Sequence, residues 1–165
     1  MKKLFLMLSL ICMAANAQTA DKTAIANVLD NWHRAAAGAK FDTYFGLMTE
    51  DAIFIGTDAT ENWNMTQFKA FAKPYFDQGR GWDFKSVERN IYFAADGKTA
   101  WFDELLDTWM KLARGSGVMI KQKDGNWKIA HYVLSMTIPN DNSVEVIKIK
   151  SALEDPYLKK LKENK

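Results

Sequence analysis

The sequence predicts an α+β domain. Helices fill most of the first half of the chain, and an antiparallel meander makes up the second half and packs on them with one face. Three observations predict this. Ile25, Val28, Leu29, Trp32 and Ala36 recur at the spacing of one helical face. From Trp82 onward the apolar residues change to the shorter period of strands. Between the last two such runs stands Asp124-Gly125, a hairpin signal.

The elements follow in order. A helix is expected over Asp21–Ala37 and ends at Gly38, and a short helical piece runs from Phe41 to Met48. Ala52–Ile55 reads as a small strand, followed by a loop at Gly56-Thr57-Asp58-Ala59-Thr60. Met65–Phe76 is helical, with Phe68, Phe71, Ala72, Tyr75 and Phe76 on its apolar face, and Pro74 disturbs its last turn. Strands are expected over Trp82–Phe93, Thr99–Met110, Arg114–Lys123 and Trp127–Ile138. In the tail, Val144-Glu145-Val146 alternates like a strand. Ile147–Leu161 reads as helix, broken or restarted at Pro156 with Asp155 as its cap.

The hairpin assigns faces. A two-residue turn at Asp124-Gly125, with positive φ at both positions, pairs Met119 with Ala130, Gly117 with Tyr132 and Gly115 with Leu134. Residues opposite one another share a face. One face then holds Gly115, Gly117, Met119, Ala130, Tyr132, Leu134 and Met136. The other holds Arg114, Ser116, Val118, Ile120, Trp127, Ile129, His131, Val133 and Ser135. A turn at Lys111-Leu112 adds Phe102, Glu104, Leu106 and Thr108 to the first face, and Trp101, Asp103, Leu105, Asp107 and Trp109 to the second. Both faces are rich in apolar residues, unlike a sheet with one wet face. One face packs on the helices, and the other is expected to meet a second copy of the chain, making a homodimer through the outer sheet face. Gly115 and Gly117 mark either a bulge or space for a cavity.

Composition narrows the function classes. The chain of 165 residues starts with Lys2 and Lys3, continues through an apolar run from Leu4 to Ala15, and reaches the small-x-small site Ala15-Asn16-Ala17. This pattern is a secretory leader, cut after Ala17, and implies a periplasmic or secreted protein. Residues 18–140 are then the domain and 141–165 a tail, helical for most of its length. Removing Lys2 and Lys3 leaves 20 basic and 20 acidic residues, so there is no basic field for nucleic acid. No later apolar run reaches the roughly 20 residues a membrane span needs. The sole cysteine, Cys12, lies in the leader behind the bulky Ile11, so neither a lipid anchor, a disulfide nor a thiolate site is expected. All six tryptophans lie beyond the leader, and 13% of the chain is aromatic, enough for a core without disulfides.

Two segments resemble a known family: Glu50-Asp51-Ala52-Ile53-Phe54-Ile55-Gly56-Thr57-Asp58-Ala59-Thr60-Glu61-Asn62-Trp63 and Asp124-Gly125-Asn126-Trp127-Lys128-Ile129-Ala130-His131-Tyr132-Val133-Leu134-Ser135. With the Ala100-Trp101-Phe102 strand start, they make the chain similar to the SnoaL-like proteins of the nuclear transport factor 2-like (NTF2-like) superfamily, over Asp21 to Asn140. The resemblance is to exported members of Bacteroidetes type. It implies a cone-shaped NTF2-like fold, a curved antiparallel sheet packed on three N-terminal helices around a mostly apolar cavity, and frequent dimers through the outer sheet face. The superfamily includes isomerases, polyketide cyclases, dehydratases and association modules, so the fold leaves the activity open. One branch can be tested on residues. Ketosteroid isomerases use an aspartate base and an oxyanion hole made by a tyrosine and a protonated aspartic acid. Those positions align here near Gly56, Trp32 and Gly117, and none of the three groups is retained.

The candidates follow from these faces. Glu104 on the inner face is a carboxylate in apolar surroundings, expected to have a raised pKa and to serve as acid or base, unless a one-residue slip turns it to solvent. Asp58, with Glu61, flanks the loop at the expected cavity mouth, either as a base or ligand-orienting group or as a loop cap. Trp32, Trp63, Trp82 and Tyr132 line an aromatic pocket or form plain core. The expected ligand-binding set is Trp32, Asp58, Trp63, Trp82, Glu104 and Tyr132, for a small apolar or aromatic molecule. His131 is expected on the outer face as a structural histidine, and His33 on the flank of the first helix. Two distant histidines give no metal site, and no cofactor is expected. Asp107 and Arg114 share the outer face as an ion pair or interface contact. The lysines of Lys159-Lys160-Leu161-Lys162 read as a solvated helix end or a contact to an anionic surface. Three readings remain: a small-molecule binder without an assigned reaction; an isomerase, cyclase or dehydratase using Glu104 or Asp58; and a non-catalytic association module.

Overall fold

The computed structural model describes the backbone of residues 2–164 and the side chains of residues 18–164. The expected leader, residues 1–17, lies outside the residues described with side chains. Helix α1 spans Lys2–Ala37 and α2 Phe41–Gly46. Strands β1 (Met48–Ile55) and β2 (Asn62–Asn64) lead into α3 (Met65–Phe76). The meander is β3 (Lys85–Phe93), β4 (Thr99–Thr108), β5 (Lys111–Lys121) and β6 (Trp127–Met136). A 3-10 turn at Asn140–Asn142 opens α4, Ser143–Glu163. Among the described residues no helix is long and apolar enough to cross a membrane.

The face predicted for the first helix is the one that packs. Ile25, Leu29, Trp32 and Ala36 are buried against the sheet. The chain leaves α1 through Ala39, at φ 50°, instead of at Gly38. The N–H groups of Gly38, Ala39 and Lys40 close on the carbonyls of Arg34, Ala36 and Ala35, satisfying the helix end. Helix α3 begins on a capping box: Asn64 accepts from the Gln67 N–H, and the Gln67 side chain accepts from the Asn64 N–H. It runs through Pro74 to Phe76, because the Ala70 carbonyl that loses its partner lies on the exposed side.

The six strands form one sheet in the order β2-β1-β6-β5-β4-β3. The expected meander is present, but the sheet is not wholly antiparallel. β1 lies parallel to β6, with Phe54 opposite Tyr132. The connection from β1 to β6 carries α3 and the other strands, ample for a parallel pairing. β2, unmarked in the sequence, pairs with the end of β1.

The β5–β6 turn differs from the expected one. Gln122 pairs with Asn126, so the loop holds three residues, and only Gly125 has positive φ, at 87°. Asp124 instead accepts the Asn126 backbone N–H with its carboxylate. The extra residue is cancelled by a bulge at Ala130, between the Met119–Ile129 and Val118–His131 pairs. Beyond the bulge, Gly117 meets Tyr132 and Gly115 meets Leu134, as predicted. Before it, the faces are reversed, and Trp127 and Ile129 are buried on the inner face. The β4–β5 turn falls at Trp109-Met110, so Glu104 pairs with Gly115. This shift from the expected turn is even, and the predicted faces of β4 therefore hold. Glu104 is 1% exposed and Trp101 48% exposed.

The tail departs from the sequence reading. Ser143–Glu163 is one helix that continues through Pro156, and its Val144-Glu145-Val146 start is helical. The Ala152 carbonyl freed by Pro156 lies on an exposed turn, so the helix loses a bond without burying a polar group. Asp107 and Arg114 do not pair: Asp107 stands opposite Leu112 and Arg114 opposite Leu105.

The capping box gives a direct test of α3. Asn64→Ala should lower stability by about 1 kcal/mol, read as a shift of the urea midpoint at unchanged slope.

Candidate functional site

Aromatic side chains fill the inside of the sheet. Trp32 stacks on Tyr44 with ring centres 4.8 Å apart and meets Tyr132 at 4.6 Å. Phe54 stacks on Phe68 at 4.0 Å. Trp32, Tyr44, Phe68, Phe102 and Tyr132 are each fully buried. The two strand glycines make room for these neighbours instead of for a deep cavity. A Cβ on Gly115 would lie 2.1 Å from the Tyr132 hydroxyl, and one on Gly117 would lie 2.2 Å from the His131 carbonyl at the bulge. The Trp32 indole N–H is buried without a hydrogen-bond partner.

At the α1 side of this core sits Glu104. His33 Nε2 lies 2.8 Å from its Oε1, and the Tyr132 hydroxyl donates to the same oxygen at 3.2 Å. Arg89, directly across the β3–β4 ladder, donates from Nε to Oε2 at 2.9 Å, and its Nη2 lies 2.8 Å from that oxygen. Arg89 Nη1 donates onward to Asp30 at 2.7 Å and to the Ala26 carbonyl at 3.2 Å. This corrects the raised pKa expected for Glu104. Burial does push the carboxyl up. The hydrogen bond and charge of His33, with the charge and hydrogen bonds of Arg89, outweigh burial and hold it below its ordinary value. Burial pushes the Tyr132 phenol well up, with the Glu104 charge adding to it, so its hydroxyl stays a donor. A second tie holds the start of the packed part of α1: Asp21 accepts from Lys121 at 2.7 Å and from the Trp127 indole at 3.0 Å.

Two depressions open beside this core. One, about 210 Å³, lies between α1 and the start of β3, and His33 lines it with Asp30, Arg34 and Asp83. The other, about 160 Å³, lies at the mouth of the sheet. Phe54, Trp63, Phe68, Phe71, Trp82 and Leu134 line it, with Trp109 and Met110 from the β4–β5 turn and Gly56, Thr57 and Glu61 from the loop after β1. Trp63 stacks on Phe71 at 4.4 Å, and Phe68 lies near parallel to Trp82 at 6.1 Å.

The predicted site residues therefore divide. Trp63 and Trp82 come together at the mouth. Trp32, Glu104 and Tyr132 come together behind it, sealed in the core. Asp58 is exposed and caps its own loop, accepting from the Thr60 N–H at 2.8 Å and the Thr60 hydroxyl at 2.6 Å. These hydrogen bonds from Thr60 hold its carboxyl below the ordinary value. His131 faces outward, half-buried, beside Val118 and Ile53. Among the described residues, no group of three His, Cys, Asp or Glu side chains is placed to hold a metal ion. Sequence reasoning did not find Arg89 or Asp30, and it left His33 on a flank. One signal was available. Extending the meander by one more strand on its inner face puts Arg89 opposite Glu104.

Comparison with known proteins adds family and fold. A family model described as a SnoaL-like domain matches residues 25–139. No curated protein matches the chain. Among solved structures, a candidate scytalone dehydratase from Novosphingobium aromaticivorans is 12% identical, with TM-score 0.64, over 75% of this chain and 89% of that one. A candidate ketosteroid isomerase from Shewanella frigidimarina is 18% identical, with TM-score 0.56, over 68% and 94%. The association domain of C. elegans CaMKII is 19% identical, with TM-score 0.59, over 71% and 96%. At these identities the likeness shows the fold, and the three names point to different functions.

The Glu104 cluster sets an acid limit on stability. A carboxyl whose folded pKa is depressed contributes stability that is complete above its unfolded value and is lost as pH falls through the folded one. Below about pH 4.5, the ordinary value, wild-type stability should fall. Glu104→Gln should be less stable at neutral pH and should show a flatter acid limb. Arg89→Leu, which leaves Glu104 buried with one cation fewer, should cost about 3–5 kcal/mol at pH 7. Urea melts across pH check all three.

Proposed function

Because this chain belongs to the SnoaL-like domain family, and its aromatic side chains gather at an open mouth around a filled core, we propose that it is an exported protein that binds a small, flat, apolar or aromatic molecule at that mouth. No reaction is assigned to it. The observation that carries this reading is the groove between Phe54, Trp63, Phe68, Phe71 and Trp82. Concave sites lined by aromatic rings with a few polar groups are the usual form of small-molecule sites. The leader cut after Ala17, of Bacteroidetes type, and a homodimer through the outer sheet face belong to the same reading. The outer face supports the dimer: Tyr92 stacks on Trp101 at 5.8 Å, and both are about half exposed. An association module, like the domain of C. elegans CaMKII that shares the fold, would need the outer face and not the groove.

Native mass spectrometry of the protein recovered from its export compartment tests this reading. The expected species is a dimer starting at Gln18 and carrying a bound small molecule. Trp63→Ala should lose that molecule, or bind it at least tenfold more weakly, while remaining a dimer. A bound molecule retained in full by Trp63→Ala would move the site elsewhere.

One observation favours an enzyme of the isomerase, cyclase or dehydratase kind. Buried Glu104 fixes the His33 ring at 2.8 Å, and the ring borders the cleft of about 210 Å³. A carboxylate that orients an imidazole is a recurring acid–base arrangement. The imidazole, and not Glu104 or Asp58, would then move the proton. On this reading the molecule identified above is turned over, and His33→Gln lowers the rate by about 10²–10⁴-fold. Unchanged turnover in His33→Gln ends it.

A further inference from the structure

The mouth groove has a chemical asymmetry that goes beyond its aromatic character. Of its twelve lining residues, Glu61 alone carries a charge. No lysine or arginine lines it. The Glu61 carboxylate forms no ion pair among the described residues. Its Oε2 accepts a single hydrogen bond, from the Asp58 N–H at 3.2 Å, and lies over Gly56, where a Cβ would be only 2.1 Å from it. Gly56 thus lets the carboxylate fold in over the loop at the edge of the groove. Glu61 as a residue is only partly exposed.

The neighbouring charges do not cancel this one. Arg80 lies in the adjoining depression but is turned onto the Tyr75 ring, 5.9 Å from its centre, and donates to Gln78. Lys85 stands 3.6 Å from Asp83 in the depression on the other side, which Asp107 also lines. The lysines of α3 point away from the groove: Lys69 sits over Phe45 and Lys73 over Phe41.

An aromatic enclosure with one uncompensated carboxylate at its rim is matched to a cation with an apolar body. Aromatic rings attract a positive charge through their quadrupole, most strongly where water is excluded. The carboxylate gains a partner at the same moment, and an anionic ligand would meet repulsion there. We propose that the groove selects organic cations: an alkylated or aromatic ammonium, with Glu61 facing the charge and Trp63, Phe71 and Trp82 around the apolar body. This rests on the binding reading above and narrows it to a ligand class.

Three probes of matched shape separate the two: a naphthylmethyl-trimethylammonium ion, its neutral carbon isostere, and naphthylacetate. Tryptophan-fluorescence titration with the full chain should show the cation bound at least tenfold more tightly than the isostere, and naphthylacetate most weakly. Glu61→Gln keeps an acceptor for the Asp58 N–H. It should remove the tenfold preference without changing the affinity for the neutral isostere. Raising the salt concentration should weaken the cation alone. Equal binding of cation and isostere by the wild type, or a preference that survives in Glu61→Gln, overturns the cation assignment. In that case, binding of the isostere that Trp63→Ala abolishes leaves the groove reading standing. Binding of none of the three overturns both.

Discussion

A carboxylate cannot be buried in an aromatic core unless its charge is met from within, and Glu104 sets that condition for this protein. It lies midway along β4, next to the edge strand β3, at 1% exposure. Its partners come from three other elements: His33 from α1, Arg89 from β3 and Tyr132 from β6. Arg89 then reaches back to α1 through Asp30 and the Ala26 carbonyl. The cluster therefore fixes how the first helix lies across the sheet. Apolar packing of Ile25, Leu29 and Trp32 also holds the helix, but it is less directional than a cluster of charged hydrogen bonds. A buried ion cluster permits little movement, because any displacement leaves a charge unpaired in a poorly solvating interior. Gly115 belongs to the same constraint, since only a residue without a side chain leaves room for the Tyr132 hydroxyl.

This constraint explains why the core and the open groove are different places. The family resemblance implied a mostly apolar cavity, and the ligand-binding set expected from the residues included Trp32, Glu104 and Tyr132 with Asp58, Trp63 and Trp82. Trp32, Glu104 and Tyr132 pack on one another and on Tyr44 and Phe102, and the Tyr132 hydroxyl is taken up by the Glu104 carboxylate. The carboxylate thus serves to position the helix and to orient His33, and the lowered pKa is the electrostatic record of that role. The open space lies outward, where the β1–β2 loop, α3 and the β4–β5 turn meet. Loops placed on a rigid scaffold are where sites form most readily.

Much of this architecture was legible in the sequence, for identifiable reasons. Helical spacing named the packed face of α1, and the helix expected from Met65 starts there, on a capping box that was not read from the sequence. The faces of β4 survived a misplaced turn because the error was even, and those of β5 and the end of β6 survived because the Ala130 bulge restored the register. Trp127 and Ile129 were lost to the wrong face because a three-residue loop and a two-residue turn read alike around Asp124-Gly125. The parallel union of β1 with β6 was not legible, because no local pattern records which edge a strand joins. The same holds for the cluster. His33 and Glu104 are 71 residues apart, and Arg89 and Asp30 are 59 apart. Only the strand pairing that sets Arg89 opposite Glu104 could have pointed to it.

The division between a sealed polar cluster and an open aromatic rim also decides where this structure tolerates substitution. Substitution within the cluster would expose an unpaired charge to the core and cost more stability than a domain of this size can readily lose. Substitution at the rim meets no such penalty. Glu61, Trp63, Phe71 and Trp109 are partly or largely exposed, and none contributes a buried hydrogen bond or ion pair to the core. Residues there can vary in charge and shape while the scaffold behind them stays fixed. The rim is thus the part of this surface freest to change, and there the Glu61 carboxylate has no ion-pair partner among the described residues.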